Sequence, residues 1–201
     1  KGHAENEFWK WLASWAVMIR KPSDLGYDDG SFTLPELKIH QHTIESSAQM
    51  DGFLFAVEAL TLQERQQARK QTTPMRVAEC AELVNNTEGP FLVWCNLNDE
   101  SAALKEAIHG AIEVKGSDTQ EQKEERLMGF SEGKYRVLVT KPSIAGFGMN
   151  WQHCPNMAFV GLSDSYEQFY QAVRRCWRFG QKQPVNAHII TADIEGAVVS
   201  N

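Results

Sequence analysis

The stretch FLVWCNLNDE (residues 91–100) opens the part of the chain that decides the fold. Phe91–Cys95 is a short, wholly apolar run. A helical pattern follows over Ser101–His109, a strand over Ala111–Val114, a helix over Thr119–Ser131 and the strand RVLVT over Arg136–Thr140. Met157–Gly161 reads as a strand, Tyr166–Phe179 as a helix and Ala187–Thr191 as a last strand. Short apolar strands alternating with helices predict an α/β fold with a parallel sheet covered on both faces. In such sheets a ligand sits outside the carboxyl ends of the strands. The segments after Cys95, Val114, Thr140 and Gly161 are therefore the places to search.

Upstream the pattern differs. Residues 6–20 carry Phe8, Trp9, Trp11, Leu12, Trp15, Ala16 and Ile19 at helical spacing, which predicts an aromatic-faced helix serving as core or domain contact. Pro22 and the Gly26–Gly30 stretch end it in a loop. Leu37–Ile44 alternates like a half-buried strand and puts His40 and His42 on one face. Two histidines with no further ligand nearby read as structural rather than metal-binding. A polar helix is expected over residues 61–70, and a second over 74–86, opened by Pro74 with Thr73 as its cap. Asn85, Asn86, Gly89 and Pro90 mark the expected domain boundary. It divides a mainly helical or linker segment, residues 1–87, from an α/β domain, residues 88–201.

The whole chain has 201 residues, 42% of them hydrophobic and 23% charged, so a sizeable core is possible and disordered or low-complexity classes are excluded. No apolar run is long enough to span a membrane. There is neither an initiator Met nor a signal-peptide pattern, and the chain reads as a piece of a longer protein. The four cysteines fit neither a zinc site nor a disulfide scaffold and point to a reducing, intracellular compartment. The net charge is −6, yet residues 136–182 hold six Lys and Arg against Asp164 and Glu167. A basic face on an acidic chain suits a phosphate-bearing partner.

Two segments carry chemistry. In QAVRRCWRFGQ (residues 171–181), Gln171, Arg175 and Arg178 fall at i, i+4 and i+7 of a helix, on one face. Two arginines stacked this way repel each other unless an anion lies opposite, and forked guanidinium groups grip phosphate oxygens well. Gly180 is expected to stop the helix. In TKPSIAGFGMNW (residues 140–151), directly after a strand, Gly146 and Gly148 permit close backbone approach, while Thr140, Lys141 and Ser143 offer donors to phosphates. There is no GxxxxGK[ST] loop and no acidic pair ending a strand, so the chain lacks the usual means of holding ATP and its metal. The glycine fingerprint of a dinucleotide enzyme is also incomplete, since Trp151 stands where its third glycine would be.

Taken together, in this order, these segments resemble the C-terminal RecA-like domain of superfamily II helicases, and within them the SWI/SNF-related DNA translocase branch. Residues 91–100 resemble motif IV, Gly116-Ser117 and the polar helix ending near Phe130 the segment after it, residues 140–151 motif V, and residues 171–181 motif VI in the form QAxxRxxRxGQ. The likeness covers residues 88–192. It implies a RecA-like fold without its own P-loop, and that residues 1–87 are the tail of a preceding motor domain plus a linker. It implies that Arg175 and Arg178 are arginine fingers toward ATP held on that first domain, with Arg178 the principal one and Gln171 orienting them. Gly148 and Asn150 would contact nucleotide. Thr140, Lys141, Ser143, Ser117 and Asn96 would contact the nucleic-acid backbone. Asn150 departs from the Asp of many helicase branches but is usual in the SWI/SNF-like one. The partners implied are duplex DNA, ahead of single strands or RNA, and the missing first domain. The cofactors are ATP and Mg2+, bound mainly by that domain. The setting is cytoplasmic or nucleoid-associated, and the tryptophan-rich start resembles viral and prophage helicases. The alternative is a non-catalytic phosphate- or nucleic-acid-binding module with no motor partner.

Overall fold

The computed structural model describes residues 5–19, 21–45, 62–145, 148–161 and 165–193. The chain divides into two compact units, residues 1–34 and residues 35–201. In the first, the helix α1 covers only Glu5–Ala13, shorter than the aromatic spacing predicts. Ser14 ends it: its hydroxyl donates to the Trp11 carbonyl at 2.6 Å, a local bond that competes with the helical ladder. Two 3-10 turns follow, over Pro22–Leu25 and Gly30–Phe32. The expected core role of the aromatic face is not met within this unit, because no residue of α1 is buried and Trp9 and Trp11 are both more than half exposed.

The second unit is a six-stranded, all-parallel sheet. Its strands are β1 Leu37–Ile44, β2 Phe91–Cys95, β3 Ala111–Glu113, β4 Val137–Thr140, β5 Asn156–Val160 and β6 Val185–Ala192, in the order β1-β6-β5-β2-β4-β3. The helices are α2 Leu62–Asn85, α3 Asn98–Ala107, α4 Gln120–Ser131, the single turn α5 Pro142–Ala145, and α6 Tyr166–Val173. The central strands are buried on both faces, as their continuous apolar runs predict. Leu92, Trp94, Leu138, Met157 and Phe159 point to one side and pack with Phe130, Trp151 and Val173. Phe91, Val93, Val137, Val139 and Val160 point to the other and pack with Val77, Cys80 and Val84 of α2 and Leu104 of α3.

The unit begins at Pro35, not at residue 88, because two elements upstream of the expected boundary belong to the sheet. Strand β1 pairs with β6 along its whole length, from Leu37 opposite Val185 to Ile44 opposite Ala192. The helix α2 covers one face. It is also one helix where two are expected, with Pro74 inside it. Next to the proline, the Arg69 carbonyl accepts from Thr73 Oγ1 at 2.8 Å and from Arg76 Nη2 at 2.5 Å, while the bond that Pro74 itself forgoes is the one to the Lys70 carbonyl. The start of the polar helix expected at residue 61 lies outside the described residues.

Under α2 the edge strand β1 and its neighbour β6 bring three histidines together. His42 Nε2 and His188 Nδ1 share a hydrogen bond of 2.9 Å, and the rings of His40 and His188 stack at 4.6 Å. His42 Nδ1 lies 3.3 Å from Glu79 Oε1 and His40 Nε2 lies 3.1 Å from Asn186 Oδ1. Burial, then repulsion from His40 and His42, pushes His188 down to about 4. No group of three potential ligands among the described residues could hold a metal.

Candidate functional site

All six strands run the same way, so the segments after β2, β4 and β5 emerge on one edge of the sheet. The two chemistry-bearing segments meet there. The helix α6 starts on Ser165, whose hydroxyl accepts from the Gln168 amide at 3.3 Å, and ends at Val173, six residues before the predicted end. Residues 174–180 are turns instead. The reason is tertiary: the Arg175 carbonyl accepts from the Trp151 amide at 2.8 Å, which pulls the chain off the helix axis onto the segment after β4. Gly180, with a φ of 91°, therefore closes this turn instead of capping α6.

Arg175 is buried. Its Nε donates to the Gln171 carbonyl at 2.9 Å, its Nη2 to Gln171 Oε1 at 3.2 Å and its Nη1 to the Met149 carbonyl at 3.1 Å. Arg178 Nη1 reaches the same carbonyl at 3.5 Å and also donates to Asn150 Oδ1. Gln171, Arg175, Arg178 and Asn150 thus form one cluster about Met149. Every acceptor in it is neutral, and neither arginine makes an ion pair among the described residues. Burial, then the charges of Arg178 and Arg174, pushes the Arg175 guanidinium below its ordinary value. A cluster of uncompensated positive charge of this kind is stabilised by an anion. Among the described residues Arg178 Nε and Nη2 have no hydrogen-bond partner, and these donors have the fork geometry that suits phosphate.

The remaining sequence-predicted residues fall into two other groups. Lys141 Nζ donates to Asn98 Oδ1 at 2.7 Å, and Asn98, Lys115, Gly116 and Ser117 border a shallow open groove that also carries Asp99 and Glu113. Ser143 is exposed on α5, and Gly148 is exposed with a φ of 81°. Gly146 lies outside the described residues. Thr140 and Asn96 face inward. Thr140 is fully buried and its hydroxyl donates to the Val114 carbonyl at 3.0 Å, which leaves it no surface to offer a nucleic acid. Asn96 Nδ2 donates to the Gly161 carbonyl at 2.8 Å, tying the end of β2 to the end of β5.

Three participants carry no role in the sequence reading. The Met149 carbonyl is a main-chain atom and has no sequence signal. Gln181, though part of the quoted motif, is buried: its Oε1 accepts from the amides of Lys182 and Gln183 at 2.9 and 3.0 Å, which fixes the turn after the arginines. Asn98 orients Lys141. No helix among the described residues is long and apolar enough to cross a membrane.

This fold and this strand-edge cluster define a class. Residues 75–180, just over half the chain, match the model of the helicase conserved C-terminal domain, and the chain belongs to that family. No curated protein matches it in sequence. Among solved structures it is similar to a DEAD box protein from the hyperthermophile Methanococcus jannaschii, with a TM-score of 0.59 and 15% identity over 97% of this chain and 45% of that one. It is also similar to the C-terminal part of the Fun30 ATPase domain, with a TM-score of 0.56 and 18% identity over 62% of this chain and 44% of that one. The RNA helicase Prp28 from Chaetomium thermophilum, solved bound to ADP, gives a TM-score of 0.52 and 13% identity over 80% of this chain and 34% of that one. At these identities the likeness shows the shared fold: a RecA-like parallel sheet with helices on both faces, preceded by a helical segment. The chain spans less than half the length of each of these structures.

Proposed function

We propose that this chain is the second motor domain of an ATP-driven DNA translocase or helicase of the SWI/SNF-related branch, and that Arg175 and Arg178 reach across a cleft to a triphosphate held by a first RecA-like domain. The observation that carries this reading is the arginine cluster itself: two guanidinium groups at the sheet's carboxyl edge, fixed by the Met149 carbonyl, Gln171 and Asn150, with no carboxylate among the described residues to neutralise them.

Gln171 holds Arg175 by two bonds and sets the direction of its fork. Arg175 in turn braces Met149, and Met149 with Asn150 positions Arg178. Asn150 then acts on nucleotide through Arg178. Arg178 is the finger, because its free donors can meet the charge that develops on the transferring phosphoryl group. Gly148, exposed beside the cluster, lets the backbone approach the nucleotide closely. In the intact protein, acidic residues of the first domain would hold Mg2+ with ATP, and the ion would supply neutralisation of phosphate charge. The groove at Asn98, Ser117 and Lys141, with Ser143 beside it, serves as the grip on a DNA backbone, while Thr140 and Asn96 hold that grip's loops in place from beneath. Such a motor works on DNA in the cytoplasm or on the nucleoid.

In the intact polypeptide, Arg178→Ala should lower ATP turnover by about a thousandfold or more, with ATP affinity changed far less. Unchanged turnover in that variant would overturn the assignment and leave a phosphate-binding module without a motor role.

A further inference from the structure

Directly beneath the strand edge, two side chains carry opposite charges with almost no exposure to water. Arg76 of α2 and Glu100 of α3 are each 1% exposed, and Arg76 Nη1 lies 2.5 Å from Glu100 Oε1. Burying two charges costs several kcal/mol each before their attraction is counted, and a well-packed apolar pair would often be as stable. Stability alone does not call for this pair. Its other contacts show what it organises. Glu100 Oε2 accepts from the amides of Asn96 and Leu97, at 2.8 and 3.3 Å, and so shapes the turn that leaves β2. Asn96 passes the constraint to β5 through its bond to the Gly161 carbonyl. Arg76 closes the circuit from the other side: a Cβ on Gly161 would stand 2.5 Å from Arg76 Nη1, and the φ of this residue is 72°, so only glycine fits. Phe169, on the inner side of α6, lines a small cavity together with Asn96, Gly161 and Trp94. The chain thus runs from the buried pair to the exit of β5 and to the helix that leads into the arginine cluster.

We propose that Arg76 and Glu100 are positioning residues for the motor site, a charge lock that fixes the exits of β2 and β5 and, through Asn96 and Phe169, the placement of α6. This rests on the motor reading above. Neither residue touches nucleotide. The lock sets where Gln171 and Arg175 stand when a first domain closes.

The test replaces the lock with an apolar pair, Arg76→Met with Glu100→Leu, and has two arms. In this chain, backbone amide exchange in Phe169–Val173 of α6 should quicken about tenfold or more while the melting temperature moves by only a few degrees. In the intact polypeptide, kcat for ATP should fall about tenfold with KM nearly unchanged. If the double variant fails to fold, Asn96→Ala leaves the ion pair in place, cuts the link to Gly161, and should give the same two changes. Faster exchange confined to Asn96 and Leu97, with α6 and kcat unaltered, would show a purely structural pair and overturn the proposal. If the parent polypeptide shows no ATP turnover, the motor reading fails, and the exchange of α6 alone decides the lock.

Discussion

Arginine occurs in two contrasting settings within one unit of this protein. Arg76 is sealed from water and matched to a carboxylate at 2.5 Å. Arg175 and Arg178 sit at the strand edge, beside each other, held by carbonyl and amide oxygens and by no acid among the described residues. The first arrangement satisfies its charge internally. The second holds its guanidinium groups in place and leaves their charge uncompensated. Three bonds to neutral acceptors orient Arg175 without cancelling its field, so the binding energy remains for an incoming anion. An arginine's partners, more than its exposure, thus separate a charge used to hold the fold from one kept for a ligand.

The contrast can be broken first at its strongest point. Glu100→Leu alone takes the carboxylate from the buried Arg76 guanidinium and from the Asn96 and Leu97 amides, and should destabilise the unit by about 3–5 kcal/mol in chemical denaturation. Arg178→Ala, in the same assay, should cost about 0.5 kcal/mol or less, because it removes no charge partner. Comparable losses in the two variants would erase the distinction.

A second expectation concerns acid. His188 is held neutral in the fold, with its value near 4 against an ordinary value near 6.5. Its contribution to stability is therefore full above about pH 6.5, shrinks as pH falls, and is gone below about pH 4. The ring is only half-buried, so solvent screening reduces the loss to about 1–2 kcal/mol. Denaturation between pH 7 and pH 4 should show that loss in the parent and most of it removed in His188→Phe. An equal loss in both would place the acid-sensitive group elsewhere.

The smallest effects separate the inner and outer residues of the segment after β4. Thr140→Val should lower stability by about 1 kcal/mol through the lost bond to Val114, and should leave the salt dependence of DNA binding unaltered, because Thr140 touches no phosphate. Lys141→Ala should do the reverse, with little change in stability and a salt dependence of DNA binding reduced by about one phosphate contact. A salt dependence reduced by a phosphate contact in the Thr140 variant would contradict its burial.

Much of the sheet is legible in the sequence because strands buried on both faces are near-continuous apolar runs, as FLVWC and the VLV of β4 are. The membership of β1 is not. Its alternation would suit any half-buried strand, and only the pairing with β6, about 150 residues away, places it. Pro74 reads as a boundary because it forgoes the helical bond to the Lys70 carbonyl, and the sequence does not show that α2 runs through it. The end of α6 is hidden for a similar reason: no glycine or proline stands at residue 174, and the helix stops because Trp151 binds the Arg175 carbonyl. At the site, the spacing of Gln171 and Arg175 foreshadows their contact, because i and i+4 are neighbours on a helix. Spacing carries no trace of Met149 as the hub, or of Arg76 meeting Glu100 across 24 residues.

The central claim is that these arginines serve a triphosphate bound elsewhere. The most direct measurement is ATP turnover by this 201-residue chain on its own, with and without DNA. The expected result is no hydrolysis above buffer and no tight ATP binding. Turnover by the isolated chain that disappears in Arg178→Ala would contradict the account, because the whole active site would then lie within this chain.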